Sequence, residues 1–215
     1  MKTKTATILS SAIILIEIIV SIIAYPNLPQ NMATHWDIDG NVNGYMSKDA
    51  SLIFLPAISV GIMLLLFFIP RIDPKPANIS KFRNHFNIFI LGITVFFFYV
   101  NMIVLSANLK YSFDMNRFLM PALGALLFLV GDLIGVAEPN YTIGIRTPWT
   151  LANDTVWRDT HKVGGKVFKI LSIVGIIGVF FPGIGFEIFL VTIIGAALGI
   201  VIYSYVRFRQ VVHSA

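Results

Sequence analysis

Cysteine is absent from the 215-residue chain, which excludes disulfide bonds and thiol chemistry. Charged residues are scarce as well: they make up 13% of the chain, against about 25% in soluble domains. The catalytic and nucleotide-binding motifs HExxH, GxSxG, the P-loop and the dinucleotide fingerprint are also missing. These absences argue against a soluble domain and against an enzyme, and no cofactor or metal site is predicted.

Hydrophobic residues account for 56% of the sequence, and the mean hydropathy is +0.80. A helix needs about 20 apolar residues to cross a bilayer. Six segments satisfy this pattern, and they lie at about 6–24, 51–70, 85–106, 118–138, 167–182 and 187–206. The sequence therefore predicts an all-α, multi-pass protein of the cell membrane with six transmembrane helices.

The distribution of basic residues predicts the orientation of these helices. If both termini are cytoplasmic, 13 of the 16 Lys and Arg residues lie on the inner side. The three on the outer side are Lys48, Lys110 and Arg117. This split fits the excess of positive charge in cytoplasmic loops. The loop at about 25–50 is then expected outside and the loop at about 139–166 inside.

The outer loop is rich in proline, glycine and aromatic residues. Pro26 and Pro29 favour an extended exit from the first span, and the Asp39-Gly40 and Asn43-Gly44 dipeptides predict turns. Two interpretations remain open: a compact loop with aromatic residues at the membrane interface, or a surface that recognises an extracellular peptide. The candidate recognition residues are His35, Trp36, Asp37, Gly40, Asn43, Gly44 and Tyr45.

The inner loop contains the run GIRTPWTL at 144–151. Thr147 precedes a proline and cannot continue a helix, whereas Thr150 or Asn153 can cap a new one. Downstream, Trp157, His161, Gly164 and Phe168 share one helical face. The loop is either a lipid anchor or a docking site for a cytoplasmic partner. The candidate docking residues are Asn140, Gly144, Arg146, Thr147, Pro148, Trp149, Trp157, Arg158, His161 and Gly164.

Four of these docking residues, Arg146, Trp149, Trp157 and His161, are predicted to form one packed cluster, with a proline fixing the turn. This expectation rests on the helical spacing of the tryptophan and the histidine.

Polar residues also occur inside the predicted spans, namely Glu17, Asn101 and Asp132. A charge in hydrocarbon is costly, so such groups face the helix bundle and find partners. Asp132 is expected to pair with Arg146 or with a lysine of the inner loop. These residues either lock helices together or form a path for protons or ions.

Two segments of the chain resemble known families. The outer residues Leu28-Pro29, Thr34-His35-Trp36, Gly40 and Asn43-Gly44-Tyr45 resemble the DUF1648 motif. The inner residues Pro139-Asn140, GIRTPWTL at 144–151, Trp157, Thr160-His161 and Gly164-Gly165 resemble the SdpI family. The resemblance divides the chain into a DUF1648-like unit at 1–70 and an SdpI-like unit at 71–215.

The SdpI family is named for immunity to a secreted toxic peptide, the sporulation-delay toxin. Its founding system also implies a receptor that holds a small ArsR-like repressor at the membrane. The resemblance therefore implies contacts with membrane lipids, with a toxic peptide outside and with a repressor inside, and no direct contact with nucleic acid. The alternative from a different class is a transporter of ions or small solutes that uses Glu17, Asn101 and Asp132.

Overall fold

The computed structural model describes residues 1–111, 113–181 and 183–213. Long α-helices dominate this part of the chain. The helices are α1 Thr3–Ala24, α2 Lys48–Ile72, α3 Pro76–Lys81, α4 Arg83–Asn108, α5 Met115–Val136, α6 Pro148–Ala152, α7 Asp154–Gly178 and α8 Ile184–His213. The strands β1 Asn31–Trp36 and β2 Val42–Ser47 lie between α1 and α2.

Five helices in the described part of the chain are long and apolar enough to cross a membrane: α1, α2, α4, α5 and α8. This finding confirms the predicted multi-pass, helical membrane protein. The helix α7 is not among the five, because its first part carries charged residues. Those residues are Asp154, Arg158, Asp159, Lys162, Lys166 and Lys169. The count of six spans and their orientation in the cell remain predictions.

The helix α7 is longer than the predicted span at 167–182. It begins at Asp154, where the side chain of Asn153 caps it, and continues to Gly178. Of the two residues that the sequence predicts as possible caps, Thr150 and Asn153, it is Asn153 that caps α7. Pro182, the last residue of the predicted span, lies outside the described residues. One continuous helix therefore joins the polar inner-loop sequence to the apolar segment.

Hydrogen bonds give the directions of the first helices. Arg83 Nε donates to Thr3 Oγ1 at 3.2 Å, and Asn101 Nδ2 donates to Ser21 Oγ at 3.1 Å. Both bonds join equivalent ends of α1 and α4, so these two helices are parallel. The chain therefore crosses the bundle along α1, returns along α2, and begins α4 at the same end as α1.

The remaining helices alternate in direction. Gly131 of α5 faces Gly165 of α7, while Gly124 faces Ser172, so α5 and α7 are antiparallel. Near the C-terminal end of α8, Arg207 Nε donates to Asp159 Oδ2 near the start of α7 at 2.7 Å. His85 near the start of α4 pairs with Asp132 near the end of α5, so these two helices are also antiparallel. The start of α1 and the end of α8 consequently lie at the same end of the bundle, here named the proximal end. The opposite end is the distal end.

A β-hairpin lies at the distal end, where the sequence predicts a loop with an extended exit and two turns. Strands β1 and β2 are antiparallel, with Ala33 opposite Tyr45. Of the two predicted turns, the one at Gly40 is present, with a positive φ of 81°. The second prediction is wrong, because Asn43 and Gly44 lie within β2. One tight turn is enough to reverse the chain, so the second dipeptide extends a strand.

The side chain of Asp37 explains where the hairpin turns. Its Oδ1 accepts hydrogen bonds from the backbone N–H groups of Asp39 at 3.0 Å and Asn41 at 2.8 Å. An aspartate that binds backbone groups two residues ahead is a common turn former. After the hairpin, Ser47 Oγ accepts from Ala50 N at 3.4 Å and caps α2.

Candidate functional site

Loop 137–153, between α5 and α7, is held in shape by Asn140. The Oδ1 atom of Asn140 accepts from the N–H groups of Thr142 at 2.9 Å and Ile143 at 2.6 Å. Its Nδ2 donates to the carbonyl groups of Glu138 and Ile143, both at 2.8 Å. Asn140 is buried. Its amide therefore satisfies the backbone of the loop and offers no surface for a partner.

Asp73, just after α2, anchors the same loop from another part of the chain. Its Oδ2 accepts from Tyr141 N at 2.9 Å and Thr142 Oγ1 at 2.7 Å, and its Oδ1 accepts from Lys75 N at 2.7 Å. Burial alone raises the pKa of Asp73, but these hydrogen bonds outweigh it and hold the pKa below its ordinary value. Sequence analysis missed Asp73, because no local motif links it to residues 68 and 69 positions away.

Trp157 and His161 stack beneath Gly144. The two ring centroids are 4.0 Å apart, and the planes are 16° from parallel. Trp157 Nε1 donates to the carbonyl of Ala137 at 2.7 Å, which satisfies its polar atom in the interior. Gly144 has a φ of 128°, and a side chain there would overlap His161. The glycine of the GIRTPWTL run is thus required both by its backbone conformation and by the rings below it.

His161 uses both ring nitrogens within the fold. The hydrogen bonds identify the neutral form with the proton on Nδ1: Nδ1 donates to the carbonyl of Trp157 at 2.8 Å, and Nε2 accepts from Ile145 N at 3.0 Å. Burial lowers the pKa of His161 to about 4, because a charged imidazole would lose its hydration and its acceptor role. His161 is therefore a neutral structural group near pH 7.

The short helix α6 begins with a reciprocal cap. Thr147 N donates to Thr150 Oγ1 at 2.9 Å, and Thr150 N donates to Thr147 Oγ1 at 3.2 Å. Pro148 occupies the first turn, where its missing N–H costs nothing. The Thr147 hydroxyl also lies 3.0 Å from Ser204 Oγ of α8. These contacts attach the Thr-Pro-Trp turn to the last helix.

The predicted cluster of two tryptophans, an arginine and a histidine is not a single unit in the structure. Trp149 packs instead against Tyr205 of α8, with ring centroids 5.1 Å apart. Arg146 is exposed, and its Nη1 donates to the carbonyl of Tyr141 at 2.6 Å. The cluster divides because Arg146 and Trp149 flank the proline turn, whereas the other two side chains lie beneath it.

The two glycines of the family motif allow close packing of α7. A side chain at Gly165 would approach Gly135 Cα to 2.7 Å and Gly131 O to 2.8 Å. Gly164 is covered by the side chain of Ile145 from loop 137–153. The face predicted from the helical spacing is thus confirmed as a packing face. Small residues at such crossings let helix backbones come close in membranes.

These positions sort the predicted docking residues by access. Those on the surface are Arg146, Pro148 and Arg158, with Gly144 and Trp149 half-buried. Those that hold the loop from within are Asn140, Thr147, Trp157, His161 and Gly164. Their docking role remains a prediction, and a partner at the proximal end would first meet the exposed group.

The hairpin at the distal end is attached to the bundle through asparagine side chains. Asn108 at the end of α4 accepts from Ala33 N at 2.8 Å and donates to Ala33 O at 2.9 Å, as a neighbouring strand would. Asn116 Nδ2 of α5 donates to the carbonyl of Ile38 at 2.7 Å. The hairpin is therefore fixed at its first strand and at its tip.

The predicted recognition residues divide between the two faces of this hairpin. His35 and Tyr45 are exposed, and Tyr45 has 66% of its surface accessible. The His35 ring hydrogen-bonds to Asn43 Oδ1, and Gly44 lies directly against the His35 side chain. Trp36 packs on the apolar cluster under the hairpin. His35, Asn43 and Tyr45 thus form the accessible part of the set.

Asp132 has partners other than the predicted Arg146. Its Oδ2 lies 2.7 Å from His85 Nδ1 of α4, and its Oδ1 lies 3.1 Å from Lys169 Nζ of α7. Lys169 is a lysine of the helix that follows the inner loop, and sequence analysis did not consider His85. The group joins three helices at one level of the bundle.

Two protein families match separate parts of the chain. Residues 136–206 match the SdpI/YfhL protein family, and residues 12–60 match a domain of unknown function, DUF1648. The predicted resemblance is confirmed. The SdpI/YfhL match begins at the end of α5 and includes loop 137–153, whereas the DUF1648 match includes the hairpin.

A relative with a known name spans most of the chain. The Immunity protein SdpI of Bacillus subtilis (strain 168) is 27% identical over 177 residues, which cover 82% of each chain. No solved structure matches. Both family matches fall within the predicted units 1–70 and 71–215, whose boundaries remain predictions.

Proposed function

We propose that this membrane protein confers immunity to a secreted toxic peptide, and that it does so by binding rather than by catalysis. The observation that carries the proposal is its similarity to an immunity protein over 82% of both chains. The two family matches, at 12–60 and 136–206, include the hairpin and loop 137–153, the two candidate surfaces. The toxin expected from the family resemblance is the sporulation-delay peptide or a peptide of similar character.

The hairpin is the proposed toxin-recognition surface. Its attachment through Asn108 reduces the entropy that binding would otherwise cost, while His35 and Tyr45 remain available. Aromatic side chains on a rigid support are typical of binding hot spots. Near the tip, the exposed Asp39 adds negative charge that would attract a cationic peptide.

The exposed part of loop 137–153 is the proposed docking surface for an ArsR-like repressor. Arg146 is exposed in this loop, and Arg158, Lys162 and Lys166 are exposed on the adjoining part of α7. A basic surface of this kind would favour a partner with an acidic patch. Trp149, half-buried against Tyr205, supplies an aromatic anchor beside the charge.

Both surfaces require six spans with cytoplasmic termini, which is part of the proposal. The helix α7 supports it: α7 runs antiparallel to α5 over most of that helix, from Gly165 beside Gly135 to Gly178 beside Met120. A helix packed alongside a membrane span over this length reaches the same two sides. Three spans, α2, α4 and α5, separate the hairpin from loop 137–153 and put them on opposite sides of the membrane, and α7 as a further span returns the end of α8 to the side of the start of α1.

The alternative function, transport by Glu17, Asn101 and Asp132, has weaker support. Asp132 is engaged by side chains from α4 and α7. Asn101 bonds to Ser21 in the seam between α1 and α4, where Glu17 also lies. The described contacts do not join the two carboxyl groups into one path.

The proposal can be tested in a toxin-sensitive host. Cells that express the chain should survive added sporulation-delay toxin, and cells with Tyr45→Ala at equal expression should lose most of that protection. Purified protein in proteoliposomes should show no ion or solute flux. Full survival with the Tyr45 and His35 substitutions combined, or a measurable flux, would contradict immunity through the hairpin.

A further inference from the structure

The buried face of α1 carries a carboxyl group that the proposed function does not use. Glu17 lies on this face and has no exposed surface. The other buried residues of α1 are Ala6, Ser10, Ile14 and Ser21, at helical spacing. They pack the helix against α4 and α2. Glu17 is thus in the interior of the bundle and does not face lipid.

No cation reaches this carboxyl group in the described part of the chain. Both oxygens of Glu17 lack a hydrogen-bond partner, and the ion pairs of the described residues involve Asp132 and Asp159 instead. The charged residues of α1, α2 and α4 lie near the helix ends, at Lys2, Lys4, Lys48, Asp49, Arg71, Arg83 and His85. An ionised Glu17 would therefore be an isolated charge in a medium that does not hydrate it.

The polar neighbours of Glu17 are neutral. The Ser59 hydroxyl of α2 neighbours the carboxyl group, and Ser59 Oγ, like both Glu17 oxygens, has no hydrogen-bond partner among the described residues. The Ser21 hydroxyl is already committed: it donates to the backbone carbonyl of Glu17 at 2.9 Å and accepts from Asn101 at 3.1 Å. A single hydroxyl cannot replace the hydration of a carboxylate, but it is a suitable partner for a neutral acid.

We propose that Glu17 is a proton-binding site in the seam between α1, α2 and α4, and that its carboxyl group holds a proton in the resting protein. The ligand is the proton itself, bound to one carboxyl oxygen with Ser59 Oγ as the neighbouring polar group. Release of this proton would place an unpaired negative charge between three helices. Packing of α1 against α2 and α4 therefore depends on the bound proton.

Infrared spectroscopy of the full chain in lipid at neutral pH tests the protonation state directly. Glu17→Gln should remove one carbonyl stretch of a protonated carboxylic acid from the wild-type spectrum. The matched control is Asp132→Asn, which should remove carboxylate absorption instead, because Asp132 is paired with Lys169. Loss of carboxylate absorption in Glu17→Gln would overturn the proposal.

Two further measurements keep the test decisive. Ser59→Ala should shift the same carboxylic-acid band to higher frequency without abolishing it, and an unchanged band would contradict the assigned contact. Glu17→Gln should keep the wild-type melting temperature, since a neutral amide replaces a neutral acid of the same shape. A fall in melting temperature as large as that of Asp132→Asn, or a carboxyl band that disappears when sodium or lithium replaces potassium, would point to a bound cation and overturn the proton site.

Discussion

The Nε2 atom of His161 accepts a hydrogen bond from the backbone N–H of Ile145 at 3.0 Å. This bond joins α7 to the GIRTPWTL run, and it exists only while the imidazole is neutral. A proton on Nε2 would remove the acceptor and place a charge beneath Gly144. The pairing therefore makes the shape of loop 137–153 sensitive to acid.

The first prediction concerns this sensitivity. The pKa of His161 is about 4 in the fold and 6.5 in its ordinary state, so the unfolded chain binds the proton first as the pH falls. The contribution of neutral His161 to the free energy of unfolding is fully present above pH 6.5 and is lost progressively down to about pH 4. Its size is on the order of 3 kcal/mol, at about 1.4 kcal/mol for each pKa unit.

Thermal unfolding of the purified protein in detergent measures this loss. The comparison is with His161→Gln, which lacks only this imidazole and keeps the other three histidines of the chain. The wild type should lose more stability than the variant between pH 6.5 and pH 4. Parallel stability curves for the two proteins would contradict the neutral, hydrogen-bonded His161.

The second prediction concerns the glycine above the rings. Gly144→Ala should destabilise the protein by roughly 2 kcal/mol or more, because the backbone has a positive φ and the new methyl group overlaps His161. Gly199→Ala is the matched control in α8, where a side chain meets nothing within 4 Å. It should be neutral or stabilising by about 0.5–1 kcal/mol. Equal melting temperatures for the two variants would show that Gly144 is not constrained.

Several elements could be predicted from the sequence because their signals are local. The apolar length of α1, α2, α4 and α5 identifies each as a span, and hydropathy is a property of one segment. The face with Trp157 and His161 follows from helical spacing alone. These predictions needed no knowledge of what the segments pack against.

Other features depend on residues that are distant in sequence. The Asp73 contacts with Tyr141 and Thr142 join the end of α2 to the loop after α5, and no spacing rule connects them. The hairpin depends in part on the Asn108 side chain, which pairs with Ala33 from 75 positions away. Charged residues at the start of α7 likewise obscured a single continuous helix.

The third prediction concerns the attachment of the hairpin. Asn108→Ala removes both partners of the Ala33 backbone and should destabilise the hairpin by about 1–3 kcal/mol. Hydrogen exchange at Ala33 and proteolysis of residues 31–47 should both become faster. Asn41→Ala, an exposed change at the hairpin tip, is the control and should alter neither. Unchanged protection in Asn108→Ala would mean that the strands hold themselves.

The fourth prediction concerns orientation, and the absence of native cysteine makes it simple to test. A cysteine at Asn41, which is exposed on the hairpin, should react with an impermeant reagent on intact cells. A cysteine at the exposed Ala152 should react only after the cells are opened. Ala152 is preferable to Asn153, because Asn153 caps α7. The reverse pattern of labelling would invert the proposed topology.

The last prediction is that protection and recruitment use different surfaces. Substitutions at His35 or Tyr45 should reduce survival under toxin while a fluorescent ArsR-like repressor still localises to the membrane. Arg146→Ala or Arg158→Ala should have the opposite effect, since both side chains are exposed at the proximal end. Arg146→Lys keeps the charge and should retain more recruitment than Arg146→Ala.

Recruitment should also weaken with salt, because exposed charges are screened beyond about 8–10 Å at physiological ionic strength. If every variant loses both activities together, one conformational change couples the two sides, and separate surfaces are the wrong account.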